Sequence, residues 1–302
     1  MDFTLDIYRS LLIALNSRGY EFRGFEAFNA EETGRIVVLR HDVDRLPQNA
    51  LKMARIEKEL SAKASYHFRT GKSGFDRLVI KEIADMGHEI GYHYEDLSHA
   101  ARKLSKRAKS GNKLFEKAYS MFADNLRSLK AIYPVRVISM HGSPLSIYDN
   151  RKLWKYYSYR EFGVVCEPYF DINLSKVLYL TDTGRRWNSD RANLRDRAFP
   201  GADGFHAGKA FYDGWCVKPA EGSAMNMTQH AKALQASYKF SSTETLIRNI
   251  YLGTIPDKII ISTHPQRWNN GGLPWLKELV MQNIKNSLKV VLSLSRAKLW
   301  GE

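Results

Sequence analysis

Short apolar runs alternate along this chain with segments whose apolar positions recur at helical spacing. The runs that predict strands lie at residues 36–44, 64–69, 88–93, 136–141, 164–169, 176–182 and 258–264. Predicted amphipathic helices lie between most of them, and two more open and close the chain at 5–18 and 274–299. Nearly continuous apolar strands that alternate with helices are typical of a parallel sheet covered by helices. The pattern therefore predicts an α/β fold, and seven strands suit a distorted (β/α)7 TIM-like barrel, with an open sheet as the alternative.

Neither a repeat nor a low-complexity linker divides the chain, so we predict one domain over residues 1–302, with a core at 36–264 and a C-terminal helix within 265–302. Further helices are predicted at 96–132 and 150–162. An irregular stretch at 184–242, rich in Gly, Asp, Arg and aromatic residues, interrupts the pattern before the last strand. An insertion of this length inside a compact domain is often a binding loop.

Charge narrows the choice of partners. The chain has 46 Lys and Arg against 32 Asp and Glu, a net charge of +14, which suits nucleic acid, an anionic membrane or an acidic substrate. The absence of zinc-finger spacing and of an RNA-binding aromatic motif argues against nucleic acid.

Two cysteines, no signal sequence and no bilayer-length apolar stretch favour a cytoplasmic protein. The apolar side of the C-terminal helix is predicted to pack on the barrel, with peripheral membrane contact as the alternative.

Polar side chains gather where the predicted strands end. They are Asp42, Asp44, His67, Arg69, His93, His141, Glu167, Asp182 and His264. The carboxyl ends of barrel strands meet at one mouth, and carboxylate with imidazole is a donor set for a divalent metal. Asp42 and Asp44 project to the same side of their strand. Taken alone, the segment Arg40–Asp44 fits an ion-paired strand end as well as it fits a metal site.

The segments His41–Asp44, Gly87–His93 (Gly-His-Glu-Ile-Gly-Tyr-His) and Thr263–Pro265 resemble the polysaccharide deacetylase family, the NodB homology domain or carbohydrate esterase family 4. Within that family the chain looks most like a bacterial sub-group found with O-antigen and other surface-glycan genes. The resemblance implies a distorted barrel and metal-dependent removal of an N- or O-acetyl group from a sugar. The implied metal is Zn²⁺, with Co²⁺, Mn²⁺ and Ni²⁺ as alternatives.

The resemblance also implies roles for single residues. It makes Asp42 the general base, Asp44 and His93 metal ligands, and His264 the acid that protonates the leaving group.

Two departures from the family pattern affect the metal site. Leu97 stands where the family has its second metal-binding histidine, and the Arg-x-Pro-aromatic motif is absent. We predict His141 as the replacement ligand, with Glu95 and His99 as the alternatives, and His88 as a structural hydrogen-bonding residue.

Three further residues are predicted to bind the substrate. Asp182 either orients His264 or contacts sugar. Arg185 and Trp187, with Arg186, Tyr212 and Trp215, suit sugar stacking, although ordinary loop packing explains them equally well.

The predicted function is deacetylation of an acetylated sugar, nucleotide-sugar or lipid-linked glycan in surface-polysaccharide biosynthesis. The competing hypotheses are a non-catalytic glycan-binding barrel with a degenerate metal site, which Leu97 favours, and another metal-dependent hydrolase of C–N bonds.

Overall fold

The computed structural model describes residues 1–71, 73–105, 112–142, 146, 148–187 and 233–299, with side chains up to residue 286 in the last helix. The strands are Glu21–Arg23 (β1), Ile36–Val43 (β2), Ser65–Phe68 (β3), Glu89–Tyr94 (β4), Val137–Met140 (β5), Leu178–Thr181 (β6) and Lys258–Thr263 (β7). The α-helices are Leu5–Ser17 (α1), Pro47–Glu59 (α2), Arg77–Asp85 (α3), Asp96–Lys103 (α4), Asn112–Lys130 (α5), Pro168–Asp171 (α6), Thr243–Leu252 (α7) and Gly272–Leu299 (α8).

All the strand pairs are parallel, in the order β5-β4-β3-β2-β7-β6, with β1 beside the first half of β2. The α/β class is therefore confirmed, as a parallel half-barrel sheet that is compatible with a distorted barrel. Among the described residues no strand pairs β5 with β6, so closure into a (β/α)7 barrel stays a prediction. None of the described helices is both long and apolar enough to cross a membrane.

The predicted strand at 164–169 is wrong. Cys166 makes only an isolated bridge with Val137, and the chain then turns into α6. Glu167 caps that helix by accepting a hydrogen bond from the Tyr169 amide, while Pro168 has no amide hydrogen to give to a ladder. The sequence also missed β1, since three residues are too few to show a period.

Two long predicted helices are each divided. The region 96–132 ends its first helix at Lys103, because Leu104 is extended, and a second helix begins at Asn112. The region 150–162 forms two 3₁₀ helices, Asn150–Lys155 and Tyr159–Phe162, which Asp149 and Ser158 cap.

Up to residue 286, the apolar side of α8 is exposed rather than buried against the barrel, contrary to the prediction. Leu276, Val280 and Ile284 are about half exposed, whereas Glu278 and Gln282 on another side of the helix are buried.

Side chains of alternate strand residues fill the inner face of the sheet in rows. An apolar cluster that includes Val38, Val137 and Ile260, with Phe25 and Cys166, closes the lower part of that face. The register places Asp42, His67 and Gly91 in one row above it. Polar groups therefore collect toward the carboxyl ends of the strands.

Gly91 shows how tightly these rows fit. A Cβ at this position would lie 2.5 Å from His67 Nδ1 and 2.8 Å from His67 Cε1. His67 is fully buried and its Nε2 is 3.0 Å from Ser65 Oγ. The second glycine of the Gly-His-Glu-Ile-Gly-Tyr-His segment is thus required by the neighbouring imidazole.

We expect Gly91→Ala to lower the free energy of unfolding by about 1–3 kcal/mol, the usual cost of overpacking a core. Gly71→Ala is the matched control, because a Cβ there meets nothing within 4 Å. Urea unfolding of both variants checks this, and equal stabilities would contradict the packing explanation.

Candidate metal centre

Asp44, His93 and His141 converge at the carboxyl ends of three strands. Asp44 follows β2, His93 lies near the end of β4, and His141 follows β5. One ligand atom from each residue lies within 4.8 Å of the others. Asp44 Oδ1 is 3.3 Å from His141 Nε2 and 3.7 Å from His93 Nε2. The predicted grouping of these three side chains is confirmed.

Hydrogen bonding on the far side of the His93 ring sets its tautomer. His93 Nδ1 lies 3.0 Å from the carbonyl oxygen of Ser139, and a carbonyl can only accept. The proton is therefore on Nδ1, and Nε2 presents a lone pair toward Asp44. On the other ring, His141 Nδ1 is buried 3.2 Å from Glu95 Oε2, close enough for electrostatic attraction but without hydrogen-bond geometry. A carboxylate beside Nδ1 favours the same tautomer, which leaves Nε2 free to bind a metal.

The polar atoms at the centre of the cluster fit a cation. Asp44 Oδ1 is buried and has no hydrogen-bond partner, while Oδ2 accepts a bond of 3.1 Å from Gln266 Nε2. An unpaired buried carboxylate oxygen is costly, and a divalent cation would satisfy it. One carboxylate oxygen with two imidazole nitrogens suits Zn²⁺ or a similar ion, and three protein ligands leave a position for water or substrate.

The protonation states agree with metal binding. Burial by itself would raise the pKa of Asp44, but the neighbouring His141, His264 and His93 outweigh it and hold the pKa well below its usual range. Burial, with His141 nearby, lowers the pKa of His93 well below its usual value. Both residues are therefore deprotonated near neutral pH, as metal ligands must be.

The side chains around the cluster decide between the predicted third ligands. Leu97 is fully buried in the apolar core and offers no ligand atom. Glu95 is held by Arg69, whose Nε donates a bond of 2.7 Å, and lies 3.2 Å from His99 Nε2. His141 is thus the third residue of the cluster with Asp44 and His93. Glu95 lies on the other side of the His141 ring, beside Nδ1.

Asp42 lies one row below the cluster and pairs with Arg40. The guanidinium donates from Nε and Nη2 to the two carboxylate oxygens, at 2.9 and 2.8 Å, and both side chains are buried. Asp42 Oδ1 is also 3.8 Å from His93 Nδ1. The ion-paired interpretation of this strand end is therefore confirmed together with the metal-site geometry, and the role of Asp42 as a base stays a prediction.

His264 is fixed by Asp182. Its backbone amide donates to Asp182 Oδ2 at 2.9 Å, and its Nδ1 lies 2.7 Å from Asp182 Oδ1 and 2.8 Å from Arg267 Nη1. Asp182 also accepts from Arg267 Nη1 at 2.6 Å and from Trp268 Nε1 at 2.9 Å. Asp182 is fully buried under these donors, so its position fits the predicted role of orienting His264.

Charge favours the protonated form of His264. Burial and Arg267 lower its pKa, but Asp182 and Asp44 outweigh them, so the pKa is raised above its ordinary value. Burial would raise the pKa of Asp182, but Arg267 and His264 lower it to about 2. An imidazolium beside a carboxylate is the form that a general acid requires.

The prediction that Arg185 and Trp187 offer a sugar-stacking surface is not supported. Trp187 is 1% exposed, and its Nε1 donates a 2.8 Å bond to Thr243 Oγ1. Its ring packs against Phe3 and Trp268.

Arg185 is buried in the same way. Its guanidinium lies over the rings of Phe3 and Trp275 and donates to the carbonyl oxygen of Arg267. Arg185 and Trp187 therefore anchor the N-terminal segment, while Tyr212 and Trp215 lie outside the described residues.

Other polar residues at the strand ends and in the motifs are structural. Glu167 accepts bonds from Tyr94 Oη and from the amides of Met140 and Tyr169, and burial raises its pKa to about 8. His88 bonds the Ala54 carbonyl and the Ala64 amide, as predicted for a structural residue.

Sequence reasoning missed Gln266, Arg267 and Trp268. They follow directly on Thr263–Pro265, and that adjacency was the only available signal.

No protein-family model matches the chain, and no curated protein matches it.

Proposed function

We propose that this chain is a metal-dependent hydrolase that removes an acetyl group from an acetylated amino sugar or glycan. The observation that supports it is the convergence of Asp44, His93 and His141, with both imidazole Nε2 atoms facing an unpaired carboxylate oxygen. The deacetylase assignment, the choice of Zn²⁺ and the link to surface glycans come from the motif resemblance.

A divalent cation held by Asp44, His93 and His141 would supply Lewis-acid chemistry, acidifying water and polarising an acyl carbonyl. Asp42 accepts the proton of the attacking water on its carboxylate. The two-point contact with Arg40 fixes the orientation of that carboxylate throughout.

His264 acts at the other end of the reaction. In the imidazolium form of His264 one proton lies on Nδ1 beside Asp182, and Nε2 carries the second proton, which passes to the departing nitrogen or oxygen of the sugar. Arg267 and Trp268 hold Asp182 in place and thereby hold the imidazole. Donation to a leaving group in this way is typically worth about 10²–10⁴ in rate.

We expect Asp42→Asn to keep its metal and to lose about 10²–10⁴ in the rate of acetate release, because an amide cannot take the proton. Metal analysis, together with an acetate assay on acetylated amino sugars, nucleotide-sugars and lipid-linked glycans, measures both. Asp85→Asn is the control, since Asp85 is exposed and pairs with Lys81. The proposed function fails if the unmodified protein holds no divalent metal and releases no acetate.

We expect Asp182→Asn to move the alkaline limb of the pH–rate profile to lower pH. Asp182 raises the pKa of His264, so its loss lets the imidazolium deprotonate at lower pH. The acid must be protonated to act, so activity then falls earlier as pH rises. A rate profile measured at saturating metal tests this, and an unchanged alkaline limb would show that His264 is not the acid.

The two competing hypotheses give different results in the same assays. A non-catalytic glycan-binding barrel would bind sugar without releasing acetate. A different C–N hydrolase would bind metal, depend on Asp42, and leave acetylated sugars intact while it cleaves another amide.

A further inference from the structure

The last helix, α8, places its polar and apolar sides opposite to the usual arrangement. Toward the protein body, Glu278 contacts Arg45 at 2.6 Å and Asn286 donates a 3.0 Å bond to the Gly184 carbonyl. Gln282, also buried, donates a 2.9 Å bond to Asn286. A surface helix normally turns its apolar stripe inward, so α8 has apolar side chains left for another use.

The outer α8 surface consists of apolar side chains that share one side of the helix and are between 43% and 80% exposed: Leu273, Leu276, Val280, Met281 and Ile284. Leu276, Val280 and Ile284 recur every four residues, so they form one continuous stripe. Single exposed apolar residues are ordinary, but a contiguous exposed stripe marks a surface that binds a partner.

Charge on the helix indicates which partner fits. Lys277 and Lys285 are exposed next to the stripe. Glu278, the only acidic residue in the sequence of α8, already contacts Arg45, and the rest of that sequence contains three more basic residues, Lys289, Arg296 and Lys298. An apolar stripe beside lysines is the composition of helices that lie in the interface of an anionic bilayer.

The same charge argues against a second copy of the chain as the partner. Two such helices packed together would bring their lysines toward one another, and like charges at an interface are unfavourable. The chain as a whole also carries a net charge of +14. An anionic lipid surface therefore complements the outer α8 surface better than another copy does.

We propose that the outer α8 surface docks this protein onto an anionic lipid bilayer, as a peripheral contact in the plane of the interface. The Arg45–Glu278 contact joins this helix to the residue that follows Asp44. The docked helix is thus tied to the segment that carries a candidate metal ligand. No residue of the outer α8 surface takes part in the proposed chemistry, so membrane docking does not depend on that chemistry.

The test is co-sedimentation of the full chain with vesicles of phosphatidylcholine alone or mixed with phosphatidylglycerol. We expect binding to the mixed vesicles only, weakening as salt rises. The double variant Val280→Asp with Ile284→Asp should bind the vesicles at least about tenfold more weakly. It removes two apolar side chains that the bilayer would otherwise bury.

The matched control is Ile13→Asp with Leu78→Asp, which makes the same change of charge at exposed apolar positions on α1 and α3. We expect this control to bind like the unmodified protein. Absence of vesicle binding by the unmodified protein, or equal loss in both double variants, would overturn the proposal. Analytical ultracentrifugation gives the remaining outcome: a dimer that only the α8 variant dissociates, without vesicle binding, would assign the surface to a second copy and also overturn the proposal.

Discussion

The His141→Ala variant is expected to lose its divalent metal and, with the metal, its release of acetate. His141 Nε2 and His93 Nε2 are the only nitrogen donors of the described cluster, so alanine leaves two ligands in place of three. Removing a supporting residue outside the ligand set typically costs about 10–100-fold in metal affinity. Loss of a direct ligand should exceed that range. Titration of the metal-free protein with Zn²⁺, and metal content after dialysis, measure the change.

His99→Ala is the matched control for that experiment. His99 Nε2 lies 3.2 Å from Glu95 Oε1 and belongs to the same helix as Leu97, yet it is not part of the cluster with Asp44. We expect this variant to keep its metal. If His99→Ala loses the metal while His141→Ala retains it, the third ligand has been assigned to the wrong residue.

Two simple rules predict that Asp44, His93 and His141 meet with other polar residues at one edge of the sheet, while the motif resemblance singled out Asp44 and His93 as ligands. Parallel strands bring their carboxyl ends to one edge, and side chains alternate along each strand. The observed register determines which residues lie side by side on neighbouring strands. It pairs His93 with Ser139 and Asp42 with His67. Neither rule depends on the exact length of any strand, so errors at the strand boundaries did not affect the cluster.

The roles of Arg185 and Trp187 could not be predicted in the same way. Their partners are Phe3, Thr243 and Trp268, which lie far from them along the chain. Local composition shows that an aromatic or charged residue is present, but not whether a distant segment covers it. A buried Trp and an exposed Trp therefore look alike in the sequence.

The last helix illustrates the same limit for amphipathic patterns. Its period correctly indicates a helix with one apolar stripe, but the orientation depends on Arg45 and the Gly184 carbonyl, which engage the opposite side. The Gly87–His93 segment shows a related effect. His88, Glu89 and Gly91 support the fold, and only His93 reaches the cluster. A motif that marks a site is thus mostly made of residues that position one ligand.

Glu57→Gln is expected to lower the free energy of unfolding by about 3–5 kcal/mol, the usual cost of breaking a buried charged network by removing one partner. The Glu57 carboxylate is fully buried on α2 and accepts hydrogen bonds from Tyr8 Oη and, at 2.7 Å, from Tyr66 Oη. His41 Nε2 lies 2.7 Å away and His88 Nδ1 3.6 Å away. An amide nitrogen in place of either carboxylate oxygen would face a group that donates, so glutamine cannot satisfy Tyr8, Tyr66 and His41 together.

Glu59→Gln is the control on the same helix, because Glu59 is exposed and pairs with Arg9; we expect a change within about 0.5 kcal/mol.

The difference between the two variants should also depend on pH. Burial would raise the pKa of Glu57, but His41 and His88 outweigh it and lower the pKa. A lowered folded-state pKa adds stability above the unfolded value of about 4.3, and that stability is lost as pH falls through the folded value. The deficit of Glu57→Gln should therefore be full at neutral pH and shrink below about pH 4. Urea unfolding across that range measures it, and a deficit that stays constant or grows on acidification would show that the carboxylate charge does not stabilise the fold.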